Sequence, residues 1–498
     1  SYIPTAVVGA HLFSIVYLSL VASRTIYRSY LALPPSSATR HREPLRKGYV
    51  QTFSILAIVS LTTAAFFGVK FGLLSYRVWA TERGVDLPES LFGDKGALRA
   101  GEHPGRFHLV RWLNDTSFYR DSLEIVAEKA RHFWWGQQVN LGLISFSTYL
   151  ALEGQRRKIS NLWAFLALAN LVNLSYAQNL FFVAVLLTPV PLPENVREIT
   201  RTSTRYFHLL DKVIPRKQDG FLPKPAFYIS LLLASFATIF LIPYAANTTA
   251  FVKVSWISGI LPFSFLLLPY VIPAGWGTVP KHPHDSQLTY TTLFRIISTL
   301  SAALHLKASA LALYYNTPES TYYRHSLLHP FKEEHRTTLG RGSTAIGRVF
   351  GAIGEHPAVG SAAWDVLLTG FSLGIWAAVR GLDAKEMFRS IMIFMDRSNE
   401  IPSEGVVDRN YGTMKTKAEN AASNSNRQGP PQGTNSRTQP AKARDDDEYR
   451  PSVDEMIDEG DEETEGDLEI AALAWGLLSV GGLGIGGAAV YGAETTSR

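Results

Sequence analysis

The sequence predicts an all-α polytopic membrane protein, a bundle of eight or nine transmembrane helices followed by a disordered acidic region. The apolar residues of the 498-residue chain come in blocks separated by charged stretches, and each block has about the 20 residues that cross a bilayer core. Residues 445–467 hold 13 acidic residues and one arginine. The formal net charge of +5 therefore hides a basic remainder, which suits anionic membrane lipids as partners.

The spans are predicted from hydropathy along the chain. The candidates are Ile3–Val21, Thr52–Val69, Phe133–Leu152, Leu162–Leu187, Ala226–Tyr244, Val252–Ile272, Gln287–Tyr315, Ala358–Val379 and Leu468–Tyr491. The sixth contains Pro262 and Pro269, which predict a kink or a break. The ninth is rich in glycine, follows the acidic run and is treated as an additional helix.

Four regions are expected along the chain. Residues 1–395 form the transmembrane bundle, 396–444 a disordered polar linker, 445–467 an acidic tail segment and 468–492 the additional helix. The linker is expected to be disordered because its part 413–444 contains no Phe, Trp, Tyr, Leu, Ile or Val. We therefore expect truncation after Asn399 to leave the main bundle assembled. The acidic segment could recruit a protein partner.

The orientation is predicted from basic connectors. Arg156, Arg157 and Lys158 follow the third span, and the connector after the first span is also basic. The positive-inside rule places both in the cytosol. The N-terminus and the connectors 80–132 and 188–225 then face the lumen of the endoplasmic reticulum or another endomembrane. The sequon at Asn114 is on that side, which predicts a glycoprotein.

Several soluble chemistries are excluded. The chain has no cysteine, so it holds no disulfide, thiolate nucleophile or zinc–thiolate site. No phosphate-binding loop is present, because Gly347 is followed by Arg348 where such a loop has lysine. We expect no cofactor, no bound metal and no nucleic acid. The histidines of His325-x3-His329 and of the 282–285 cluster are interpreted as parts of solvated turns.

An acidic face precedes the third span. Asp121, Glu124 and Glu128 share one face of a helix and could hold Mg²⁺ for a prenyl diphosphate. Interleaved Arg120 and Lys129 favour the alternative, a solvated amphipathic surface helix.

Ionisable residues inside the spans are the candidate catalytic groups, because charge is costly in hydrocarbon and usually serves a function there. They are His11, Arg295, His305 and Asp365. Arg295 and His305 lie on one polar stripe of the seventh span. Asp365 is a candidate proton donor, and a structural ion pair with Arg295 is the alternative.

Amides and tryptophans of the third and fourth spans are candidates for a substrate cavity. They are Trp134, Trp135, Gln137, Gln138, Asn140, Asn170, Asn173, Gln178 and Asn179. The alternative is that the amides hydrogen-bond neighbouring helices together.

Residues 175–191, SYAQNLFFVAVLLTPVP, and residues 356–368, HPAVGSAAWDVLL, resemble a group of polytopic fungal membrane proteins often encoded beside secondary-metabolite genes. The resemblance implies a role in terpenoid or other lipophilic metabolism. The leading hypothesis is a membrane-embedded enzyme that cyclises or isomerises an isoprenoid by proton transfer from Asp365. The alternatives are a transporter of a small lipophilic metabolite and a non-catalytic membrane scaffold.

Overall fold

The structure, a computed structural model, describes residues 2–31, 43–85, 108–188, 221–278, 288–325, 330–392 and 453–496. These residues are mostly helical, and two short β-ribbons are the only strands among them. Seven helices of the described part are long and apolar enough to cross a membrane when Leu468–Thr495, which contains the non-helical Gly482, is counted as one helix. The chain is therefore compatible with an integral membrane protein, and the predicted predominance of membrane-type helices is confirmed.

Fourteen α-helices make up the described part of the chain. They are α1 (Ile3–Leu31), α2 (Glu43–Glu82), α3 (Leu109–Asp115), α4 (Phe118–Glu128), α5 (Ala130–Arg156), α6 (Leu162–Leu171), α7 (Leu174–Leu186), α8 (Pro225–Ala245), α9 (Phe251–Val271), α10 (Thr291–Asn316), α11 (Thr338–Glu355), α12 (Pro357–Val379), α13 (Ala384–Ile391) and α14 (Val453–Thr496). The antiparallel ribbons pair β1 (Leu222–Pro223) with β2 (Gly277–Thr278), and β3 (Thr321–His325) with β4 (Pro330–His335).

Helix α5 is the centre of the bundle. Twenty of its 27 residues are buried, and it packs against α7, α8, α9, α10, α11 and α12. It contains the third predicted span, but it is not among the seven apolar helices because amide and charged residues lower its hydropathy. A buried helix can carry such polar groups only where its neighbours bind them. Its polar side chains accordingly hydrogen-bond to neighbouring elements, as Gln138 does to His305 of α10 (2.7 Å).

The fourth predicted span consists of two helices. Within residues 162–187, α6 and α7 pack against each other and are separated at Val172 and Asn173. The Asn173 side-chain oxygen accepts a hydrogen bond from the backbone N–H of Tyr176 (3.1 Å). This side chain caps α7, as asparagine often does at the start of a helix.

The start of α6 and the end of α7 both lie beside the C-terminal end of α5. Leu162, the first residue of α6, packs on Gly154 near the end of α5. Thr188, just after α7, accepts a hydrogen bond through its carbonyl oxygen from Arg157 Nη1 (2.7 Å). Residues 162–187 therefore leave and return at one end of the bundle. We call this segment hairpin 1, with its tip at the break and its feet at the end of α5.

Helix α14 also folds back on itself. Gly482 has φ 72° and ψ −178°, a conformation that glycine adopts without strain. A Cβ placed on Gly486 would lie 3.3 Å from the Cα of Leu478, although residues eight apart in a straight helix are separated by about 12 Å along the axis. Segments 468–481 and 483–496 are therefore the legs of a second hairpin, hairpin 2, with its tip at Gly482.

Hairpin 2 has its feet at the same end of the bundle as hairpin 1. The leg after the tip runs beside α5, where the ring of Tyr491 stacks on that of Tyr149 with centroids 4.4 Å apart. The leg before the tip runs beside α12, where Trp475 stacks on Phe371 (5.9 Å). Glu494, near the end of the second leg, accepts a hydrogen bond from Tyr149 OH (2.7 Å).

These hairpins correct the predicted topology. The expected spans Leu162–Leu187 and Leu468–Tyr491 each leave and return at one end of the bundle instead of crossing it. A hairpin with apolar legs has the composition of a span, so hydropathy does not separate the two. The sixth predicted span is one uninterrupted helix, α9, with Pro262 and Pro269 inside it.

The C-terminal region divides between two units. The described residues from 466 onward belong to the same compact unit as the described part of residues 1–392, and Ala488 and Glu494 are fully buried there. The bundle includes this segment, and the assembly of a chain cut after Asn399 stays a prediction. Residues 393–465 form a second unit, of which 453–465 are described. Within the acidic segment 445–467, residues 453–467 are helical, so its predicted disorder is not confirmed; residues 445–452 and the linker 396–444 lie outside the described residues.

Candidate functional site: the tips and feet of two helical hairpins

The tip of hairpin 1 is closed by Asp365 of α12. Its carboxylate oxygens accept hydrogen bonds from the backbone N–H groups of Leu174 (2.9 Å) and Ser175 (2.8 Å), and Thr369 Oγ1 lies 3.4 Å away. The first N–H groups of a helix have no partner within the helix, and the helix dipole makes that end positive. A carboxylate supplies both acceptors and the opposite charge, so Asp365 binds α12 to the start of α7.

His11 of α1 binds the other side of the same break. Its Nε2 lies 2.9 Å from the carbonyl oxygen of Leu171, the last residue of α6, and its Nδ1 lies 2.8 Å from Tyr119 OH. The carbonyl can only accept, so Nε2 carries a proton and donates it to this contact. Asn173 Nδ2 donates to the Ser60 carbonyl (3.0 Å), which binds the tip to α2.

The tip of hairpin 2 is closed by Gln138 of α5 and His305 of α10. Gln138 Oε1 accepts from the backbone N–H of Leu483 (3.1 Å), and its Nε2 lies 2.7 Å from His305 Nδ1. His305 in turn hydrogen-bonds to the Val480 backbone. The amide and the imidazole thus take up backbone groups on both sides of Gly482.

The two tips meet on the same glycine of α5. A Cβ placed on Gly142 would lie 2.9 Å from the Leu174 side chain and 3.2 Å from that of Leu483. A side chain at this position would force the two tips away from α5. Non-helical backbone from both hairpins is therefore gathered in the interior of the bundle.

Five charged side chains join the feet of the two hairpins. They are Glu153, Arg156 and Arg157 at the end of α5, Arg380 just after α12, and Glu494, and we call them the foot cluster. Arg156 Nη2 lies 2.8 Å from Glu153 Oε1, which Arg157 Nε also contacts. Arg380 Nε lies 2.7 Å from Glu494 Oε1, and Arg157 Nη2 lies 3.9 Å from that oxygen. Both glutamates are 0% exposed.

Aromatic side chains enclose the foot cluster. Tyr149 OH and Trp376 Nε1 both donate to Glu494 Oε2. Trp376 stacks on Phe182 of hairpin 1 with ring centroids 4.1 Å apart. Tyr491 OH donates to Gln178 Oε1 (2.8 Å), which links hairpin 2 directly to hairpin 1. The charges of the cluster are therefore enclosed by protein groups, in surroundings of low polarity.

The four predicted catalytic residues are not gathered in one place. Asp365 and His11 bind the tip of hairpin 1, and His305 binds the tip of hairpin 2. Arg295 Nε donates to the carbonyl of Arg389 (2.9 Å), toward the feet. Asp365 forms no ion pair with a described residue, so the alternative Asp365–Arg295 pair is wrong. The proton-donor role of Asp365 stays a prediction, and the two backbone N–H groups on its oxygens favour a bound carboxylate.

Most residues predicted to line a cavity make hydrogen bonds to backbone or to a neighbouring helix. Apart from Gln138, Asn173 and Gln178, the donors and acceptors are Trp134 Nε1 to Ser309 Oγ (3.0 Å), Trp135 Nε1 to the Val349 carbonyl (3.1 Å), Asn170 Nδ2 to the Leu166 carbonyl (3.0 Å) and Asn179 Nδ2 to the Ser175 carbonyl (2.8 Å). Gln137 Nε2 and Asn179 Oδ1 are buried without a partner in the described part, and Asn140 is half-buried. The pattern resembles the interhelical alternative more than a polar cavity.

The acidic face of α4 lies on the surface. Glu124 accepts hydrogen bonds from Asn247 N (2.8 Å) and Arg120 Nε (3.1 Å). Burial, and then the charge of Glu124, raise the pKa of Asp121. Within the described ranges no three His, Asp or Glu side chains come together as a metal ion requires. The 282–285 cluster and the side chains of the His325-x3-His329 motif lie outside the described residues.

A second polar cluster joins α5 to the corner between α11 and α12. Glu355 Oε2 lies 2.9 Å from both Arg131 Nη2 and His132 Nε2. Burial alone would raise the pKa of Glu355, but these hydrogen bonds hold it below its ordinary value. His356 Nδ1 accepts from Ala358 N (3.2 Å) and caps α12. Burial, with His132 nearby, lowers the pKa of His356.

The foot cluster was not predicted as a site. Arg156 and Arg157 were interpreted only as a sign of orientation, and Glu494 lies three residues after the last predicted span. The sequence did contain a signal for this cluster. Glu494 follows one apolar segment closely, and arginines follow two others, Arg156 and Arg157 after the third predicted span and Arg380 after the eighth.

Comparison with known proteins gives no relative. No protein-family model, curated protein or solved structure matches the chain.

Proposed function

We propose that the chain is an integral membrane protein that transports a small lipophilic molecule across an endomembrane, with the two hairpin tips as its translocation site. The observation that carries the proposal is the meeting of both tips on Gly142 in the interior of the bundle. At membrane depth, non-helical backbone is tolerated where protein buries it or where it lines a cavity. Broken helices near the bilayer centre form the substrate sites of many secondary transporters.

The proposed topology has seven crossings and two hairpins that enter from one side. The crossings are α1, α2, α5, α8, α9, α10 and α12. The connector between α7 and α8 then lies on the side of Arg156 and Arg157, not on the opposite side as first expected. Residues 189–224 hold seven basic and four acidic residues, so the positive-inside rule supports a cytosolic position for this connector. Asn114, exposed on α3, is proposed to be glycosylated on the lumenal side.

Asp365 is the group through which proton binding would change the contact between α12 and hairpin 1. As a carboxylate it accepts hydrogen bonds from Leu174 and Ser175 with its two oxygens. A protonated carboxyl presents an O–H donor in place of one strong acceptor, and it loses its attraction to the positive end of α7. Protonation therefore weakens the contact between α12 and the tip of hairpin 1. We propose that this contact opens and closes during transport.

The test compares metabolites in cells and in medium for three strains of the source organism. One strain carries the intact gene, one lacks it, and one expresses the Asp365→Asn variant. Transport predicts that, without the protein, at least one lipophilic compound stays in the cells at wild-type amounts or above while it declines in the medium. The variant should reproduce this redistribution when its protein level matches wild type.

The matched control is Asp383→Asn, because Asp383 is an exposed helix cap far from either tip in the sequence. It should behave like wild type. If the compound disappears from both cells and medium while a precursor accumulates, the transport proposal is wrong. That result would favour the biosynthetic enzyme. An unchanged metabolite profile in the deletion strain would favour a scaffold.

A further inference from the structure

The foot cluster contains more hydrogen-bond donors than its acceptors can satisfy. Three guanidinium groups share two carboxylates. Arg156 Nε and Nη1, Arg157 Nη2, and Nε and Nη2 of Arg380 are buried without a hydrogen-bond partner in the described part, as are two acceptors, Glu153 Oε2 and Glu494 Oε1. The side chains of Arg156 and Arg157 are only 4% and 1% exposed. Unpartnered donors on buried cations are costly, so these groups favour a further acceptor.

The unpartnered donors belong to one connected group of side chains. Arg156 and Arg157 both contact Glu153 Oε1, and Arg157 and Arg380 both approach Glu494 Oε1. The five side chains carry a net charge of +1 when all are ionised. An anion would balance this net charge and accept hydrogen bonds from the unpartnered guanidinium N–H groups.

We infer that the foot cluster is a binding site for a phosphate group. A carboxylate offers two oxygens, whereas a phosphate offers at least three acceptor oxygens to donors that come from separate guanidinium groups. Arginine also matches phosphate geometry with paired N–H donors. The site lies at the feet of both hairpins, so a bound phosphate would connect α5, the end of α12 and, through Glu494, hairpin 2.

Two sources of phosphate fit this chemistry. Basic pockets between the ends of transmembrane helices bind phospholipid headgroups, and a soluble phosphate would meet the same donors. The inference depends on the foot cluster alone. Binding measured on the purified protein therefore remains informative if the transport proposal fails.

Arg156 is the residue to substitute. Arg157 also donates to the carbonyls of Val185 and Thr188, so its loss would disturb hairpin 1 itself. Arg156 uses Nη2 for Glu153 and leaves its other nitrogens without partners. Arg156→Lys keeps the positive charge beside Glu153 but removes the guanidinium donors. Arg120→Lys, in an exposed pair on α4, is the matched control.

Binding is measured on the full-length protein by titration, with inorganic phosphate in neutral detergent and with phosphatidic acid added to phosphatidylcholine nanodiscs. Chloride at equal ionic strength is the reference. We expect saturable binding to at least one phosphate probe. Arg156→Lys should weaken it about tenfold, since it loses charge-assisted hydrogen bonds, and Arg120→Lys should not.

The outcomes distinguish the source and the site. Binding of inorganic phosphate indicates a soluble ligand, and binding of phosphatidic acid alone indicates a lipid headgroup. The inference is overturned if neither probe binds above the chloride reference, or if folded Arg156→Lys and Arg380→Lys proteins both bind as tightly as wild type.

Discussion

The tips and the feet of the two hairpins are both buried and polar, but different interactions close them. At the tips, single side chains bind backbone groups that the helix breaks leave unpaired, as Asp365 does for Leu174 and Ser175. At the feet, charged side chains bind one another, and Glu153 and Glu494 have no exposed surface. A contact between one side chain and backbone can open locally. In the network of five charges at the feet, the loss of one member weakens the pairing of the others.

This difference suggests that the feet and the tips of the hairpins have separate roles. The feet fix the hairpins to α5 and α12, whereas the tips carry the contacts that respond to a proton or a substrate. The following substitutions test these roles, beginning with the largest expected effect. Stability is compared through the thermal unfolding midpoint of the purified protein in detergent.

Arg157→Met should be the most damaging. It leaves Glu153 with Arg156 alone, removes a nearby charge from Glu494, and frees the carbonyl of Thr188. Removing one partner of a buried ion pair costs about 3–5 kcal/mol. Arg120→Met, which breaks an exposed pair, should cost less than about 1 kcal/mol. Equal midpoints for the two variants would show that the foot cluster does not hold the hairpins.

Asp365→Asn should have an intermediate effect. Asparagine keeps one acceptor oxygen, but its amide N–H₂ faces one of the two backbone donors of α7. An unsatisfied buried donor costs about 1–3 kcal/mol. Asp383→Asn is the control, because asparagine caps a helix as well as aspartate does. If the unfolding midpoint of Asp365→Asn equals that of the control, the Asp365 carboxylate does not stabilise hairpin 1.

Gly482→Ala should destabilise hairpin 2, because a residue with a Cβ adopts this backbone only at a cost of about 1–2 kcal/mol and because the added Cβ would lie 2.0 Å from Gln138 Oε1 unless that side chain moves. Gly476→Ala is the control in the same segment, since nothing lies within 4 Å of its added Cβ. Alanine there should be neutral or stabilising because it favours helix more than glycine does. If both substitutions have the same effect, the break at Gly482 is not a fixed feature of the protein.

His356→Asn should have the smallest effect and should appear only in the pH dependence. The lowered pKa means that the folded protein binds the His356 proton more weakly than the unfolded chain does. Stability should therefore decline as the pH falls below about 6.5, the ordinary histidine value. Asparagine caps α12 without titrating, so the variant should lose this part of the decline. An unchanged pH profile between about pH 7.5 and 5.5 would contradict this role.

Glu355 also contributes to the pH dependence of stability, but below the pH range in which His356 acts. Its lowered pKa stabilises the fold above about pH 4.5, the ordinary glutamate value. This stability is lost only as the pH falls through the lower value of the folded state. The two groups can therefore be separated in one titration.

The sequence predicts the helices much better than their paths. The observed ends of α8 and α12 lie within one residue of the predicted spans, because hydropathy and proline at the first turn mark them. The break at Asn173 was not predicted, because the apolar legs of hairpin 1 have the composition of a single span. Polar residues such as Asp365 and His11 were found by their cost in an apolar segment, but only the fold shows that backbone groups are their partners.

The central claim is that residues 162–187 return to the side from which they start, and labelling of single cysteines tests it directly. The chain has no cysteine, so Ser36→Cys, Ser90→Cys and Ser203→Cys each introduce one thiol into a separate connector. A membrane-impermeant maleimide is applied to sealed vesicles of known orientation. The account predicts that Ser203→Cys is labelled from the same side as Ser36→Cys and from the side opposite to Ser90→Cys. Labelling of Ser203→Cys together with Ser90→Cys would mean that residues 162–187 cross the membrane, and the hairpin account would be wrong.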